Sequence, residues 1–394
     1  MLTLYLEINN TNYIFFVGNS DEQNNFKIVY KLEVPLKGIE DNRISDLENV
    51  YLTLKENIYL IEQNFNHTFK EVIIILDNFN PTFLNVSGYK KLNGTQILRE
   101  NITYILNNLK SYINLIETKK NILHIFNSNF YLDNKKIDNL PIGLFGDFYS
   151  HELSFVLINS NDYKNLIQIF DKCSLKVEKI LIKSFVKGAY INEINNNSET
   201  FFQIRIGKNN SKIFYFENNS LKFEQFFKFG TSIIVKDISK IISLETEVVE
   251  LILKDIDFKD NLYDDEILEE NFLKGKKFRK IKKKLIYDIA FARIYEISEL
   301  LMFKNVNFKQ CSEMTKMIFL EIDEGTKLKG LNKIFRKVFS KNDDFDINFQ
   351  NNLPTEEILS TAHKLVHFGW KKEAIPISET KKTLIRRLFE AIFN

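Results

Sequence analysis

Between Gly88 and Ala189 the chain strings short apolar runs between polar turns in an order that few folds accommodate. Ile122 to Phe126 and Phe130 to Leu132 are two such runs, and Asn127-Ser-Asn between them reads as a hairpin turn. Pro141, Gly143 and Gly146 punctuate a loop, and Leu153 to Ile158 forms a further strand. Asn161 to Cys173 then places Tyr163, Leu166, Ile167, Ile169 and Phe170 at helical spacing. With Phe83 to Val86 as a strand and Gly94 to Leu115 as a long helix ahead of it, the succession is strand, helix, hairpin, loop, strand, helix.

Four local patterns sit on that succession: Leu123-His124, Tyr131-Leu132-Asp133, Asn139-Leu140-Pro141-Ile142-Gly143-Leu144-Phe145-Gly146, and Lys172-Cys173. In this order they resemble the inserted subdomain 1C of the bacterial cell-division FtsA family, which has a leucine-histidine strand, a Y-x-L-D turn, an N-P-I-G-x-x-G loop and a helix ending in K-C. Leu140 is one extra residue between the asparagine and the proline. The resemblance implies an α/β, actin-like (actin/Hsp70 ATPase) two-lobed fold with an inserted SHS2-type subdomain 1C. It implies subdomain 1A over 1–81 and 161–198, 1C over 82–160, 2A over 199–235, 2B over 236–290 and closing segments of 2A and 1A over 291–370. A linker over 371–379 and a C-terminal helix over 380–394 complete the scheme.

Composition narrows the function. A chain of 394 residues with 44% hydrophobic residues buries more than one core, and a net charge of +2 provides no general field for nucleic acid. Gly (13) and Pro (5) are scarce, and Asn195-Asn-Asn is a plain polar loop. Cys173 and Cys311 lie far apart without metal-ligand spacing, which fits free thiols in a reducing compartment. The start Met1-Leu-Thr-Leu-Tyr-Leu-Glu has no basic segment followed by a long apolar one, and no run of 18 apolar residues exists. The expectation is a protein of the cytoplasm or of the cytoplasmic face of a membrane.

Leu2 to Ile8, Tyr13 to Gly18 and Phe26 to Val34 open the chain as a meander. Ser45 to Asn64 is a helix with Leu47, Val50, Leu54, Ile58 and Ile61 on one stripe, and Val72 to Leu76 is a strand buried on both faces. Leu175 to Ile182 and Ser184 to Ile194 follow the insertion as strand and helix, then Phe201 to Ile206 and Ile213 to Phe216 form a hairpin.

The family cradles ATP with Mg2+ in loops that this chain rewrites. Where relatives read D-I-G-S-S-K, the sequence is Glu7-Ile8-Asn9-Asn10-Thr11-Asn12, so the acid is longer and the glycine is gone. Where they read D-I-G-G-G-T-T-D, it is Arg205-Ile206-Gly207-Lys208-Asn209-Asn210-Ser211-Lys212, with both acids replaced by cations. Arg205, Lys208 and Lys212 either contact phosphates directly or decorate a solvated turn, and the solvated turn is the preferred reading. Gly230 precedes the next helix, and Glu250 matches the family's nucleoside-contacting glutamate while Lys254 is displaced by one residue. The third loop appears as Glu321-Ile322-Asp323-Glu324-Gly325-Thr326-Lys327-Leu328-Lys329-Gly330-Leu331, in which two acids replace glycines. The degenerate nucleotide set is thus Glu7, Asn9, Thr11, Gly207, Lys208, Ser211, Gly230, Glu250 and Gly325. The expectation is weak or absent ATP binding, no catalytic residues and no metal site. His363 and His367 form the sole histidine pair at i, i+4 and lack a third ligand.

Lys274 to Lys284 is strongly basic and leads into Ile289-Ala-Phe-Ala-Arg293-Ile-Tyr-Glu296-Ile, similar to a helix of subdomain 2B. In the family this region receives the C-terminal peptide of the tubulin-like FtsZ, which makes Lys283, Lys284 and Arg293 candidates for its carboxylates. Pairing of Arg293 with Glu296 or Glu299 on its own helix is the alternative. Finally, Leu384, Ile385, Leu388, Phe389, Ile392 and Phe393 line one helical stripe, with Arg386 and Arg387 away from it. This is an amphipathic helix suited to an anionic membrane interface, as in the FtsA family, or one docked on the protein itself.

The resemblance implies a scaffold that tethers FtsZ filaments to the cytoplasmic face of the membrane at the septum. It would self-associate into filaments and recruit later divisome proteins through 1C, with no nucleic acid partner. A nucleotide-regulated actin-like ATPase polymer and a scaffold for pilus or secretion assembly are the alternatives.

Overall fold

The computed structural model describes the chain except residues 1, 22–25, 78, 196–197, 257, 259–265, 270–279, 323–328, 341–343, 351–352 and 375–394, and the side chains of 329 and 330. Strands β1 (Leu2–Ile8), β2 (Asn12–Ser20) and β3 (Phe26–Pro35) form an antiparallel meander. A short hairpin, β4 (Ile39–Glu40) and β5 (Arg43–Ile44), leads to helix α1 (Leu47–Phe65) and strand β6 (Glu71–Leu76). Asp46 caps α1 by accepting the Asn49 amide at 3.0 Å, and Asn66 ends it at φ 47°. Next come β7 (Thr82–Lys91), α2 (Arg99–Ile116), β8 (Lys120–Leu132), β9 (Lys135–Ile137), β10 (Phe148–Asn159) and α3 (Ser160–Lys172). After β11 (Lys176–Ile182) and α4 (Lys183–Ile194), a second meander forms from β12 (Phe201–Ile206), β13 (Ser211–Glu217) and β14 (Ser220–Phe227). Helices α5 (Ser232–Ile242), α6 (Thr246–Asp255) and α7 (Lys283–Ser298) follow, the last continued by a π-helical turn at Glu299–Phe303. The remaining elements are α8 (Val306–Cys311), β15 (Met317–Ile322), α9 (Lys329–Phe339), β16 (Asp346–Gln350) and α10 (Thr355–His367).

The chain divides into two compact units. One comprises Met1–Leu36, His67–Asn78 and Val177–Phe368, and the other Lys37–Asn66, Phe79–Lys176 and Gly369–Asn394. The first holds two five-stranded sheets, ordered β11-β6-β1-β2-β3 and β14-β13-β12-β15-β16. Both are an antiparallel meander whose first strand continues into two crossover strands, the arrangement of the actin-like fold. Val72 to Leu76 is at most 1% exposed along its whole length and pairs in parallel with β1, as a strand covered on both faces must. Each such side chain contributes about 1.5–3 kcal/mol through burial.

The second unit is built on the sheet β7-β10-β8-β9, with α2 packed on it through Leu106 and Ile113. One expectation is corrected here. Asn127-Ser-Asn is no hairpin turn; β8 runs unbroken through it, and the register slips so that Asn129 opposes Glu152 while Asn127 opposes Leu153, bulging out Ser128. The polar side chains stay inside because they find partners: Asn129 donates to Glu152 at 2.8 Å. The hairpin instead turns at Asp133 and Asn134, at φ 49° and 63°, which suits a two-residue turn demanding two left-handed residues. Gly143 at φ 91° lies in the punctuated loop, and a Cβ on Gly146 would stand 2.3 Å from Leu132. The early part of the segment read as a linker is also placed, since Lys372 to Ala374 lie along β8 and Ala374 is 7% exposed.

Candidate functional site

In the first unit, the strand ends and turns corresponding to the family's nucleotide loops converge. Glu7 is near the end of β1, Asp77 directly follows β6, Lys183 opens α4, Arg205 and Gln203 are on β12, Lys212 on β13, Glu224 on β14 and Glu321 on β15. They form one ion-pair lattice. Lys183 Nζ lies 2.5 Å from Glu7 and 3.4 Å from Asp77. Lys212 Nζ lies 2.8 Å from Asp77 Oδ1 and 3.5 Å from Glu224, and it also donates to the Asp77 carbonyl. Arg205 approaches Asp77 at 3.4 Å, and Lys187 on the buried face of α4 meets Glu321 at 2.7 Å, which also accepts from Gln203 at 3.1 Å.

Among the described residues four carboxylates therefore face four cations, and little water reaches them. Lys187, Lys212, Glu7 and Glu321 are all below 8% exposed. Burial alone would raise the Asp77 carboxyl, but Lys183, Lys212 and Arg205 outweigh it and hold it well below the usual carboxylate range. Burial works against the charged Lys183 amine too, and Asp77 and Glu7 overcome it, pushing that amine up to about 12. For Glu321 burial is again outweighed, chiefly by Lys187, and its carboxyl stays low. The space left among Asp77, Lys183, Lys187, Arg205 and Lys212 is about 10 Å³, room for about one water.

The turns are closed in the same manner. Asn9 Oδ1 accepts the Thr11 amide at 2.9 Å, the Asn12 amide at 2.8 Å and the Thr11 hydroxyl at 3.2 Å. An amide side chain thus takes donors of the kind a phosphate would require. In the second turn Gly207 N donates to Asn210 O, and the Gly207 and Lys208 carbonyls accept the amides of Thr231 and Ser232 at 2.9 and 2.8 Å. Gly230 permits this approach, since its Cβ position lies 2.2 Å from Gly207 O. Ser211 donates to Phe229 O at 2.8 Å, and Lys208 pairs with Glu250 at 3.0 Å, which brings two of the candidate residues together.

The sequence reading is corrected on one point here: Arg205 and Lys212 do not decorate a solvated turn, nor do they stand open to phosphate. Both point to Asp77 after β6, and Lys212 also to Glu224 on β14, because a buried cation without a counter-charge would cost several kcal/mol. Asp77, Lys183, Lys187, Glu224 and Glu321 were missed as site residues. Lys187 left the one usable signal, a lysine on the apolar side of the helix Ser184 to Ile194. Gly325 lies outside the described residues. The described residues of the first two loops do not fit ATP with Mg2+: both acids near the first loop are bound by lysines, and the loop amides named above are already engaged.

Away from the lattice, Arg293 on α7 donates to Asp237 on α5 and to Glu296 on its own helix, so the intramolecular pairing considered for it is present. Lys283 stands 3.9 Å from Glu266, and Lys284 occupies the first turn of α7. The stripe Leu384, Ile385, Leu388, Phe389, Ile392 and Phe393, with Arg386 and Arg387, lies outside the described residues. Among the described residues no helix is long and apolar enough to cross a membrane and no cluster could hold a metal ion. His363 and His367 meet edge to face with ring centres 4.2 Å apart, and His363 Nδ1 shares a hydrogen bond with the Tyr5 hydroxyl at 2.7 Å.

No protein-family model matches the chain. Cell division protein FtsA of Buchnera aphidicola subsp. Acyrthosiphon pisum (strain APS) is 23% identical over 418 residues, covering 100% of this chain and 96% of that protein. The FtsA of Buchnera aphidicola subsp. Schizaphis graminum (strain Sg) is 23% identical over 238 residues, 60% of this chain and 56% of that one. Among solved structures, a PilM-PilN type IV pilus biogenesis complex matches with a TM-score of 0.55 at 12% identity, over 93% of this chain and 98% of that chain. The chain is similar to FtsA along its whole length, and its fold is actin-like.

Proposed function

We propose that this relative of FtsA is a cell-division scaffold that works without nucleotide turnover, tethering FtsZ filaments to the cytoplasmic face of the membrane at the septum. The whole-length similarity to FtsA supports the division role. The observation that carries the second half is the neutral lattice of four acids and four cations where the family's phosphate loops converge. A triphosphate brings about four negative charges, and it would have to displace carboxylates already desolvated and paired. In this reading the described acids of the site are paired with cations rather than set to position a metal-bound water.

The membrane contact falls to the amphipathic stripe Leu384 to Phe393, and the FtsZ contact to the basic segment ending at Lys283 and Lys284 with Arg293 beside it. One helix of this size binds reversibly, so attachment gains from many tails acting together in a self-associated filament. Later division proteins would meet the inserted unit.

The test is recruitment of FtsZ filaments to anionic liposomes by the full chain, with and without ATP and Mg2+. Equal recruitment in both conditions, lost on deleting Thr380 to Asn394, is the expected result. Recruitment that requires ATP overturns the nucleotide-free reading, and recruitment that survives the deletion overturns the role of the tail.

A further inference from the structure

We propose that the edge of β8 from His124 to Asn127 is a binding site for an extended peptide, and that Lys372 to Ala374 of the chain itself are its resident ligand. β9 covers β8 only from Phe130 to Leu132, so the upstream edge is open to strand addition. Lys372 to Ala374 take that place. The Asn127 amide donates to Lys372 O and the Ala374 amide to Ile125 O, both at 2.7 Å, and Glu373 stands antiparallel to Phe126. Two ladder bonds around one bridged residue are the backbone half of peptide recognition by strand addition.

The side chains supply selectivity. His124 is fully buried, and its Nδ1 lies 3.1 Å from the Glu373 carboxylate, itself 10% exposed. An ionised carboxylate only accepts, so Nδ1 carries the proton and the imidazole is set to read an acid. On the opposite face of the added strand, Ala374 enters the core formed by Ile113, Ile125, Leu153 and Phe155, where a larger side chain would have to displace packed atoms. Two residues earlier Lys372 Nζ lies 5.2 Å from the centre of the Phe130 ring. The ligand class is therefore an extended segment with a cation, an acid and a small apolar residue in succession.

The resident segment is attached through a pivot. Gly369 adopts φ 73° with nothing within 4 Å of its Cβ position, directly before Trp370, whose carbonyl accepts the Glu373 amide at 2.9 Å. A short strand paired at a sheet edge next to such a pivot can leave and return. A partner segment of the same pattern must compete with it at the millimolar effective concentration of a short tether. The β8 edge and the segment on it lie in the same unit.

The experiment uses the full chain, its Glu373→Ala and Ala374→Arg variants, and a fluorescein-labelled peptide copying residues 369–377. Hydrogen exchange at the Asn127 and Ile125 amides reports on the β8 edge, and fluorescence anisotropy on peptide uptake. In both variants the Asn127 amide exchanges about tenfold faster or more, because a hydrogen bond to a charged group or a seated residue has been removed. Both variants take up the peptide while the unsubstituted chain excludes it, and a peptide carrying alanine for the glutamate fails. Unchanged Asn127 exchange in the two variants overturns the proposal. So does equal peptide uptake by the unsubstituted chain, or uptake of the alanine peptide, since either places binding elsewhere.

Discussion

Replacing Asp77 by asparagine separates a structural lattice from a ligand site by the sign of its effect. Asp77 is the acid shared by Lys183, Lys212 and Arg205. The Asp77→Asn substitution keeps the volume and removes the charge, leaving three carboxylates to face four cations in a setting with room for about one water. Removing one partner of a buried ion pair costs about 3–5 kcal/mol, mostly because the remaining charge stays desolvated. In a cleft awaiting a metal and a nucleotide the acid has no counter-ion of its own, and neutralising it would stabilise the empty protein. Urea unfolding at neutral pH, followed by far-ultraviolet circular dichroism, measures the difference. A loss of several kcal/mol is expected; unchanged or raised stability would refute the lattice as the reason for the closed site. The acid dependence gives a second reading of the same group. Its folded-state pKa is depressed, so its contribution is complete above the unfolded value of about 3.8 and is lost as pH falls through the lower folded one. The unsubstituted chain should therefore lose stability steeply below about pH 4, and Asp77→Asn should flatten that limb.

His151 provides a second pH test: both ring nitrogens lack a partner among the described residues, and burial, with Lys372 in support and Glu152 opposing, lowers its pKa from 6.5 to about 4. Protonation then opposes folding, so stability should fall by about 3 kcal/mol as pH drops from 6.5 toward 4, and His151→Phe should remove most of that slope in denaturation curves taken across this range. Gly230→Ala places a methyl group 2.2 Å from Gly207 O and should cost about 1–3 kcal/mol in chemical denaturation. Arg293→Glu leaves Asp237 and Glu296 without their shared cation, at a cost of about 1 kcal/mol at this half-exposed site, and should weaken binding of an FtsZ C-terminal peptide in a titration. Undiminished peptide binding would remove Arg293 from the contact.

The legible parts of the fold were those in which one physical pattern dominates. Val72 to Leu76 announces a strand covered on both faces, and α1 and α3 follow their apolar stripes to within two residues at each end. Asn127-Ser-Asn misled because three polar residues in a row ordinarily turn, whereas here a bulge and the Glu152 carboxylate let them continue as strand. The duplicated sheet order could not be read at all, since it is a property of pairing and leaves no repeat in the residues. Erosion of the nucleotide loops was visible as lost glycines and acids. What replaced them was not, because Asp77 and Lys212 are 135 positions apart and each, taken alone, looks like an ordinary surface charge.

The four-against-four lattice also ties each described charge to its neighbours. Changing Arg205 or Lys212 to an acid by a single substitution would set like charges together around Asp77 in a desolvated space, at a cost of several kcal/mol. Exchanging these charges without that cost would need coordinated changes at several positions. The charges at this site are therefore coupled, each held in place by the pairing of the others.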